Sequence, residues 1–292
     1  VATAIDERDK KTPDSWVPRH PDLIRLTGKH PFNCEPPLET LFHQGFITPP
    51  SLHYVRNHGY CPKQSWDEHV ISIDGVVDTP LTLTMAELLA MPSLTIPVTL
   101  VCAGNRRKEQ NMVKQTIGFN WGAAGHATGF WTGVRLRDIL MKAGYSQSKA
   151  RHVEFVGAED LPNGKYGTSI DINTAMDPAG DVMIAYYYNG ERLEPDHGFP
   201  VRVIIPGWIG GRMVKWLKSV SVREAPSENY YHFYDNRIMP PHVDAELAKK
   251  EGWWFKPENL FNELNINSAI ACPHHGEVVS LTPGNEFYSV RG

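Results

Sequence analysis

Ile96-Pro97-Val98-Thr99-Leu100-Val101-Cys102-Ala103-Gly104-Asn105-Arg106-Arg107-Lys108 is an apolar run that stops at a cysteine and turns at once into a basic loop. The run reads as a buried strand, since a short apolar, β-branched stretch closed by a turn suits a sheet interior. A thiolate is a soft ligand suited to a transition metal, and neighbouring cations favour its ionised form. Glycine at 104 lets the backbone approach a bulky group closely. The plainer alternative is a structural cysteine followed by a solvated basic turn.

Working outward, Val70-Ile71-Ser72-Ile73 alternates and meets Asp74-Gly75, a hairpin signal followed by a second short strand. Thr84-Met85-Ala86-Glu87 has the form of a capping box, so it opens a short helix through Leu88, Leu89 and Met91 that Pro92 stops. Arg135 to Ala143 carries helical spacing and ends at Gly144. Strands are expected over His152–Val156, Val182–Tyr188 (turning at Asn189-Gly190), Val201–Ile205 and Val214–Val222. Strands and helices mix without strict alternation, so the fold class is α+β and not a doubly wound parallel sheet. Residues 1–50 are rich in proline and polar residues and read as an extended arm laid over a surface, not a packed unit.

Bulk properties narrow the function. The chain has 292 residues with 41% hydrophobic and 21% charged residues, which suits a soluble protein with a sizeable core. Its net charge of −4 provides no basic field for nucleic acid or an anionic membrane, so an anionic substrate needs local arginines. Cys34, Cys61, Cys102 and Cys272 lie far apart without a CxxC pair, which argues against a disulfide framework and fits a reducing compartment. No signal-peptide core opens the sequence and no apolar run approaches the ~20 residues of a membrane span, so a cytosolic location is expected.

Other segments carry candidate chemistry. His53-Tyr54-Val55-Arg56-Asn57-His58-Gly59 concentrates two histidines and an arginine, whose planar fork of donors matches flat oxyanions. The histidine spacing is not that of a zinc site, and a polar edge strand is the bland reading. Asp196-His197-Gly198-Phe199-Pro200-Val201-Arg202, then Gly207 to Trp216 with Arg212 and Lys215, sets glycines beside cations, as a phosphate grip requires; a glycine hairpin with exposed basic residues is the alternative. Trp121 among small residues could meet a substrate or simply fill the core, and Asn236 in Tyr234-Asp235-Asn236-Arg237 could supply an amide or lie in an ordinary turn. Trp253-Trp254-Phe255 reads as core or docking surface. There is no P-loop, dinucleotide fingerprint, nucleophile elbow, HExxH or diagnostic pair of acids, so nothing supports hydrolysis or nucleotide binding.

Taken together, these segments resemble eukaryotic assimilatory nitrate reductases of the wider sulfite oxidase group. The likeness runs in order through Leu26 to Glu35, the segment 53–59, the cysteine loop 102–108, Ile117 to Gly122, the glycine-rich run 207–216, the aromatics at 252–255 and Asn262 to Ser268. The resemblance implies a mixed-sheet sulfite-oxidase-type molybdopterin-binding domain over residues 51–260, the arm at 1–50 packed on it, and at 261–292 the truncated beginning of an immunoglobulin-like dimerisation domain. It implies a molybdenum-molybdopterin cofactor with Cys102 as the protein ligand to the metal. Arg56 and Arg107 become the cations of the anion pocket, with Trp121 and Asn236 beside them. Arg56, Asn57, His58, Asp160, His197, Arg202, Arg212 and Lys215 become contacts to the pterin and its phosphate.

The implied reaction is reduction of nitrate to nitrite by oxygen-atom transfer. Electrons would come from heme (cytochrome b5-like) and FAD/NAD(P)H domains outside this chain, in a cytoplasmic homodimer. Sulfite oxidation on the same architecture is the alternative reaction, and a non-catalytic cofactor carrier is the alternative role.

Overall fold

The computed structural model describes residues 5–28, 30–280, 284 and 287–292. Residues 1–4 and Lys29 of the expected arm, and 281–283 and 285–286 of the expected C-terminal module, lie outside the described residues. The strands in chain order are β1 (Ile24–Arg25), β2 (Asn33–Glu35), β3 (Val55–Arg56), β4 (Val70–Gly75), β5 (Leu81–Thr84), β6 (Ser93–Val101), β7 (His126–Arg135), β8 (His152–Leu161), β9 (Gly164–Asp171), β10 (Met183–Tyr188), β11 (Glu191–Arg192), β12 (Arg202–Ile204) and β13 (Leu217–Arg223). The helices are α1 (Leu38–His43), α2 (Met85–Leu89), α3 (Arg107–Val113), α4 (Leu136–Ala143), α5 (Ile172–Met176), α6 (Tyr230–Tyr234) and α7 (Ala245–Glu251).

Two larger sheets share one core. In the first the order is β5-β4-β13-β8-β9, with β13 parallel to β4 and the other pairs antiparallel, so this sheet is mixed as expected. The second runs β11-β10-β7-β6, and β12 also pairs with β10. Helix α4 packs on β7 and β10. Its buried Leu136, Ile139, Leu140 and Ala143 form one stripe, and each large apolar side chain removed from water stabilises by about 1.5–3 kcal/mol. The capping box forms at Thr84 and Glu87, and Gly144 caps α4 in the left-handed conformation.

Three expectations need correction. The strand before Cys102 is not fully buried: β6 pairs only with β7, so it is a sheet edge and its burial alternates, with Val98 and Leu100 inside. This places the cysteine loop at a free sheet margin. The arm is also more than an extended strap. Strands β1 and β2 join β3 in a small antiparallel sheet, and Asp9, Asp14, Val17 and Arg19 are buried. Charge pairing offsets the polar composition that suggested a solvated arm.

The third correction is that β7, β9 and α3 were not anticipated. In β7 the glycines that look like breakers allow close packing: a Cβ at Gly133 would lie 2.3 Å from the Ile184 carbonyl oxygen. Past residue 261 the described pairing is limited to isolated bridges, Glu263 with Trp208 and Cys272 with Arg291.

Candidate active site

Cys102 leaves the β6 edge with its backbone N–H donating to the Gly125 carbonyl at 2.8 Å, and its half-buried thiol receives the Gly104 N–H at 3.4 Å. Helix α3 begins five residues on and brings Arg107 back over the loop. The Arg107 guanidinium donates to the Phe119 carbonyl at 3.2 Å, while the Arg56 guanidinium stacks over the Phe119 ring at 5.0 Å. Two cations from segments about fifty residues apart thus meet on one aromatic residue beside the thiol. Space over Gly104 is filled by the chain itself, because a Cβ there would lie 2.6 Å from the Arg107 guanidinium and 2.7 Å from the Trp121 indole.

Sequence alone favoured an ionised thiol at Cys102; the structure reverses that balance for the free protein. Burial pushes the thiol up, and the Gly104 N–H, Arg56 and Arg107 only partly pull it back. Arg107 is itself depressed by burial, and the neighbouring Arg56 adds to this. A cation bound to the sulfur would remove the penalty, since metals bind thiolates.

Deeper in, beyond the buried Tyr54, which stacks on His53 with ring centroids 5.0 Å apart, lies a second group of cations. Arg202 is 4% exposed and donates to the carbonyls of His197 and Met213, both at 3.1 Å, while its Nε is buried without a partner. His197 packs against His53 with ring centroids 4.4 Å apart and the planes tilted by 42°. His53 Nδ1 meets the Tyr54 carbonyl at 2.7 Å and must donate, which leaves a buried, unpartnered Nε2 as an acceptor. Burial holds His197 down at about 4 and His53 well below its usual range, so both rings are neutral in the free protein. Lys215 donates to Asn57 Oδ1 and, at 2.8 Å, to the Asp196 carbonyl.

This donor set suits a large anionic cofactor with polar edges. Among the described residues, no ion pair joins Arg56, Arg107, Arg202 or Lys215 to a carboxylate. Buried positive charge without a counter-ion is costly, and a phosphate would supply the counter-charge.

Other expected residues have different surroundings. Arg212 is fully buried, and its guanidinium donates to Asn262, Thr168 and the Phe261 carbonyl at 2.9–3.1 Å; that is a clamp on the 261–262 segment. Asp160 is exposed and paired with Lys165 at 2.7 Å, so its carboxylate faces solvent. The neighbouring Glu159 is the buried carboxyl, 5% exposed, with an unpartnered Oε2. Burial raises it despite the attraction of Lys215 and Arg56. Asn57 acts as a brace between Lys215 and the Asp196 carboxylate, its Nδ2 2.8 Å from the latter.

His58 lies 3.3 Å from Asp235 and against the ring of Tyr166 at 4.6 Å, with Asn236 next in chain packed over Gly211. Trp121 is fully buried, edge-on to Tyr54 at 5.9 Å. From sequence, His53 and Tyr54 are part of the 53–59 segment without an assigned role, and the buried carboxyls of Glu159 and Glu35 are passed over. The Glu35 carboxylate receives the N–H groups of Gly122 at 2.7 Å and Ala124 at 3.2 Å and so fixes the Trp121 turn.

Comparison with known proteins bears on this geometry. The family described as "Oxidoreductase molybdopterin binding domain" matches residues 58–231. The chain is 58% identical over 297 residues to the nitrate reductase [NADH] of Volvox carteri, covering 100% of this chain and 34% of that protein. It is 60% identical over 282 residues to nitrate reductase [NADH] 1 of Oryza sativa subsp. japonica, covering 94% and 31%. With nitrate reductase [NADH] 1 of Nicotiana tabacum it shares 60% identity over 295 residues, covering 98% and 33%. The chain thus spans about a third of the length of the curated relatives it matches. Among solved structures, the sulfane dehydrogenase SoxCD from Paracoccus pantotrophus superposes with a TM-score of 0.67 at 23% identity, over 94% of this chain and 66% of that one, a likeness of fold alone.

Proposed function

The chain belongs to the oxidoreductase molybdopterin-binding domain family, and from that premise we propose that it reduces nitrate to nitrite. The observation that carries the proposal is the pair of guanidiniums, Arg56 and Arg107, gathered on Phe119 beside the Cys102 thiol, with no carboxylate partner among the described residues. The relatives named nitrate reductase [NADH] favour nitrate over sulfite as the anion held there.

Cys102 would bind the metal, while Arg202, Lys215 and His197 would hold the phosphate and Glu159 would accept hydrogen bonds from the pterin edge. Molybdenum on molybdopterin supplies the two-electron redox chemistry when bound. The protein's own contribution is positioning and electrostatics. Arg56 and Arg107 would orient a flat anion and stabilise negative charge as it redistributes during the reaction. Trp121, buried in the core and packed against Gly104, would support the Cys102 loop, and Asn236, packed over Gly211, would offer an amide to the anion.

We further propose that heme and FAD/NAD(P)H domains of a longer protein deliver the electrons. Residues 261–292 would open an immunoglobulin-like dimerisation module of a cytoplasmic homodimer. Among the described residues no helix is long and apolar enough to cross a membrane.

Steady-state assays with reduced viologen and nitrate, and with sulfite and an electron acceptor, test the reaction. Turnover of nitrate alone is expected; turnover of sulfite alone would replace the proposal. Bound cofactor without turnover of either anion would favour a carrier.

A further inference from the structure

The N-terminal segment makes a second charged cluster on the far side of Asp196. Arg19 pairs with Asp9 at 2.9 Å, Asp14 at 2.8 Å and Asp196 at 2.8 Å, and the side chains are nearly solvent-free. Arg25 also pairs with Asp9, and both guanidiniums stack on the Phe32 ring, at 3.9 Å for Arg19 and 4.5 Å for Arg25. Asp14 reaches into the main domain through the Cys61 N–H at 2.8 Å. Asp196 receives Arg19 on one side and, on the other, the Cys61 thiol at 2.9 Å and Asn57 Nδ2 at 2.8 Å. Its own backbone carbonyl accepts from Lys215 at 2.8 Å, and the preceding carbonyl, of Pro195, accepts from the Trp216 indole at 2.9 Å.

The charges in this cluster do not balance. Four carboxylates, Asp6, Asp9, Asp14 and Asp196, meet three guanidiniums, Arg8, Arg19 and Arg25, with the His30 ring 3.5 Å from Asp14; on the main-domain side of Asp196, Lys215 sits on its backbone carbonyl. Of these cations, Arg19 is the one paired with the Asp196 carboxylate, whose backbone carbonyl holds Lys215. With Arg19 in place, Asp196 is satisfied and Lys215 stays on Asn57 and a carbonyl, with capacity for an external anion. Without it, the Asp196 carboxylate is the strongest local acceptor and would draw Lys215 away.

We infer that Arg19 is a positioning residue, and that docking of the N-terminal segment and anion binding at Lys215 are thermodynamically coupled. This rests on the reading of Lys215 as a phosphate contact and identifies what holds it ready. Coupling of this kind is reciprocal: if the docked segment tightens anion binding, the bound anion must tighten docking by the same factor, commonly 5–150-fold.

The test uses the full chain. Amide hydrogen exchange over residues 9–25 is measured with and without inorganic phosphate on cofactor-free protein, and cofactor release is followed on cofactor-loaded protein by pterin fluorescence. Phosphate is expected to slow exchange over 9–25 in the wild type and to have no effect there in Lys215→Ala. Arg19→Ala is expected to bind phosphate about tenfold more weakly and to release cofactor about tenfold faster, with Arg19→Lys intermediate.

Leu140→Ala, a core change in α4, controls for lost stability; compared at the same interval below its Tm it should match the wild type in both assays. The inference is overturned if phosphate leaves exchange over 9–25 unchanged, or if Arg19→Ala and Leu140→Ala behave alike. Protein that carries no pterin yet shows the phosphate coupling would remove the proposed function and leave this inference standing. Cofactor-loaded protein whose release ignores Arg19 would do the reverse.

Discussion

Two groups of arginines in this molecule both lie against aromatic rings, and what separates them is whether carboxylates stand beside them. Arg19 and Arg25 are surrounded by Asp9, Asp14 and Asp196. Arg56, Arg107 and Arg202 rest on carbonyls and aromatic faces instead. Both groups lose hydration, so both need compensation. In the first group the chain provides it, and the arginines build structure. In the second no carboxylate pairs with them among the described residues, and the proposed function assigns those arginines to an external anion. Asp196 stands at the boundary, its carboxylate on the paired side and its carbonyl holding Lys215 on the other.

The sharpest way to break this comparison is to remove one unpaired arginine. Arg107→Ala should lower kcat/KM for nitrate by roughly 10²–10³, with KM rising strongly, because a charge aimed at the reacting anion is lost. Unchanged kinetics would remove Arg107 from the pocket.

Next in size is a pH effect on the cofactor-free protein. His197 has its pKa lowered from 6.5 to about 4 by burial. Between these values the unfolded chain binds more protons than the native one, so the contribution is intact above about 6.5 and is lost as pH falls towards about 4. Urea unfolding at a series of pH values should show this decline, and His197→Gln should recover on the order of 3 kcal/mol of it at the acid end. Parallel pH profiles would mean that the ring titrates normally.

A smaller, more selective effect is expected at Arg202. Arg202→Lys should reduce the cofactor content of purified protein about tenfold or more while Tm moves little, since a lone ammonium cannot replace the unpartnered Nε and the fork together. Full cofactor content would contradict that role.

The smallest difference separates two adjacent acids. Asp160→Asn should leave stability and cofactor content essentially unchanged, because an exposed ion pair contributes little. Glu159→Gln should reduce cofactor retention and also flatten the loss of stability of the cofactor-free chain above the ordinary carboxylate range. In that range the buried Glu159 carboxyl must ionise at a cost in the folded state. Equal behaviour of the two variants would undo the assignment of the inward-facing carboxyl.

Asp160, exposed, and Glu159, buried, show where sequence reasoning stops. Strand β8 shifts register between Val156 and Asp160, so the alternation that would have told inward from outward is interrupted at the decisive position. Helix α3 was invisible for a related reason: it buries no residue, and Arg107 to Val113 carries no apolar stripe. Helix α4 and the capping box of α2 were legible because their signals are local. The arm misled through composition, as its aspartates and arginines look solvated until their partners, over 100 residues away for Arg19 and Asp196, are known. For His53 the spacing to His58 was uninformative, because its neighbour in space is His197, over 100 residues away in sequence.

Molybdenum-edge X-ray absorption on wild-type and Cys102→Ser protein tests the central claim most directly, that the thiol at the β6 edge is the protein's ligand to the metal. The account expects one fewer sulfur neighbour around molybdenum in the serine variant, or loss of bound metal altogether. Full metal content with an unchanged number of sulfur neighbours would contradict it, and the unpaired arginines around Cys102 would then need another anion to explain them.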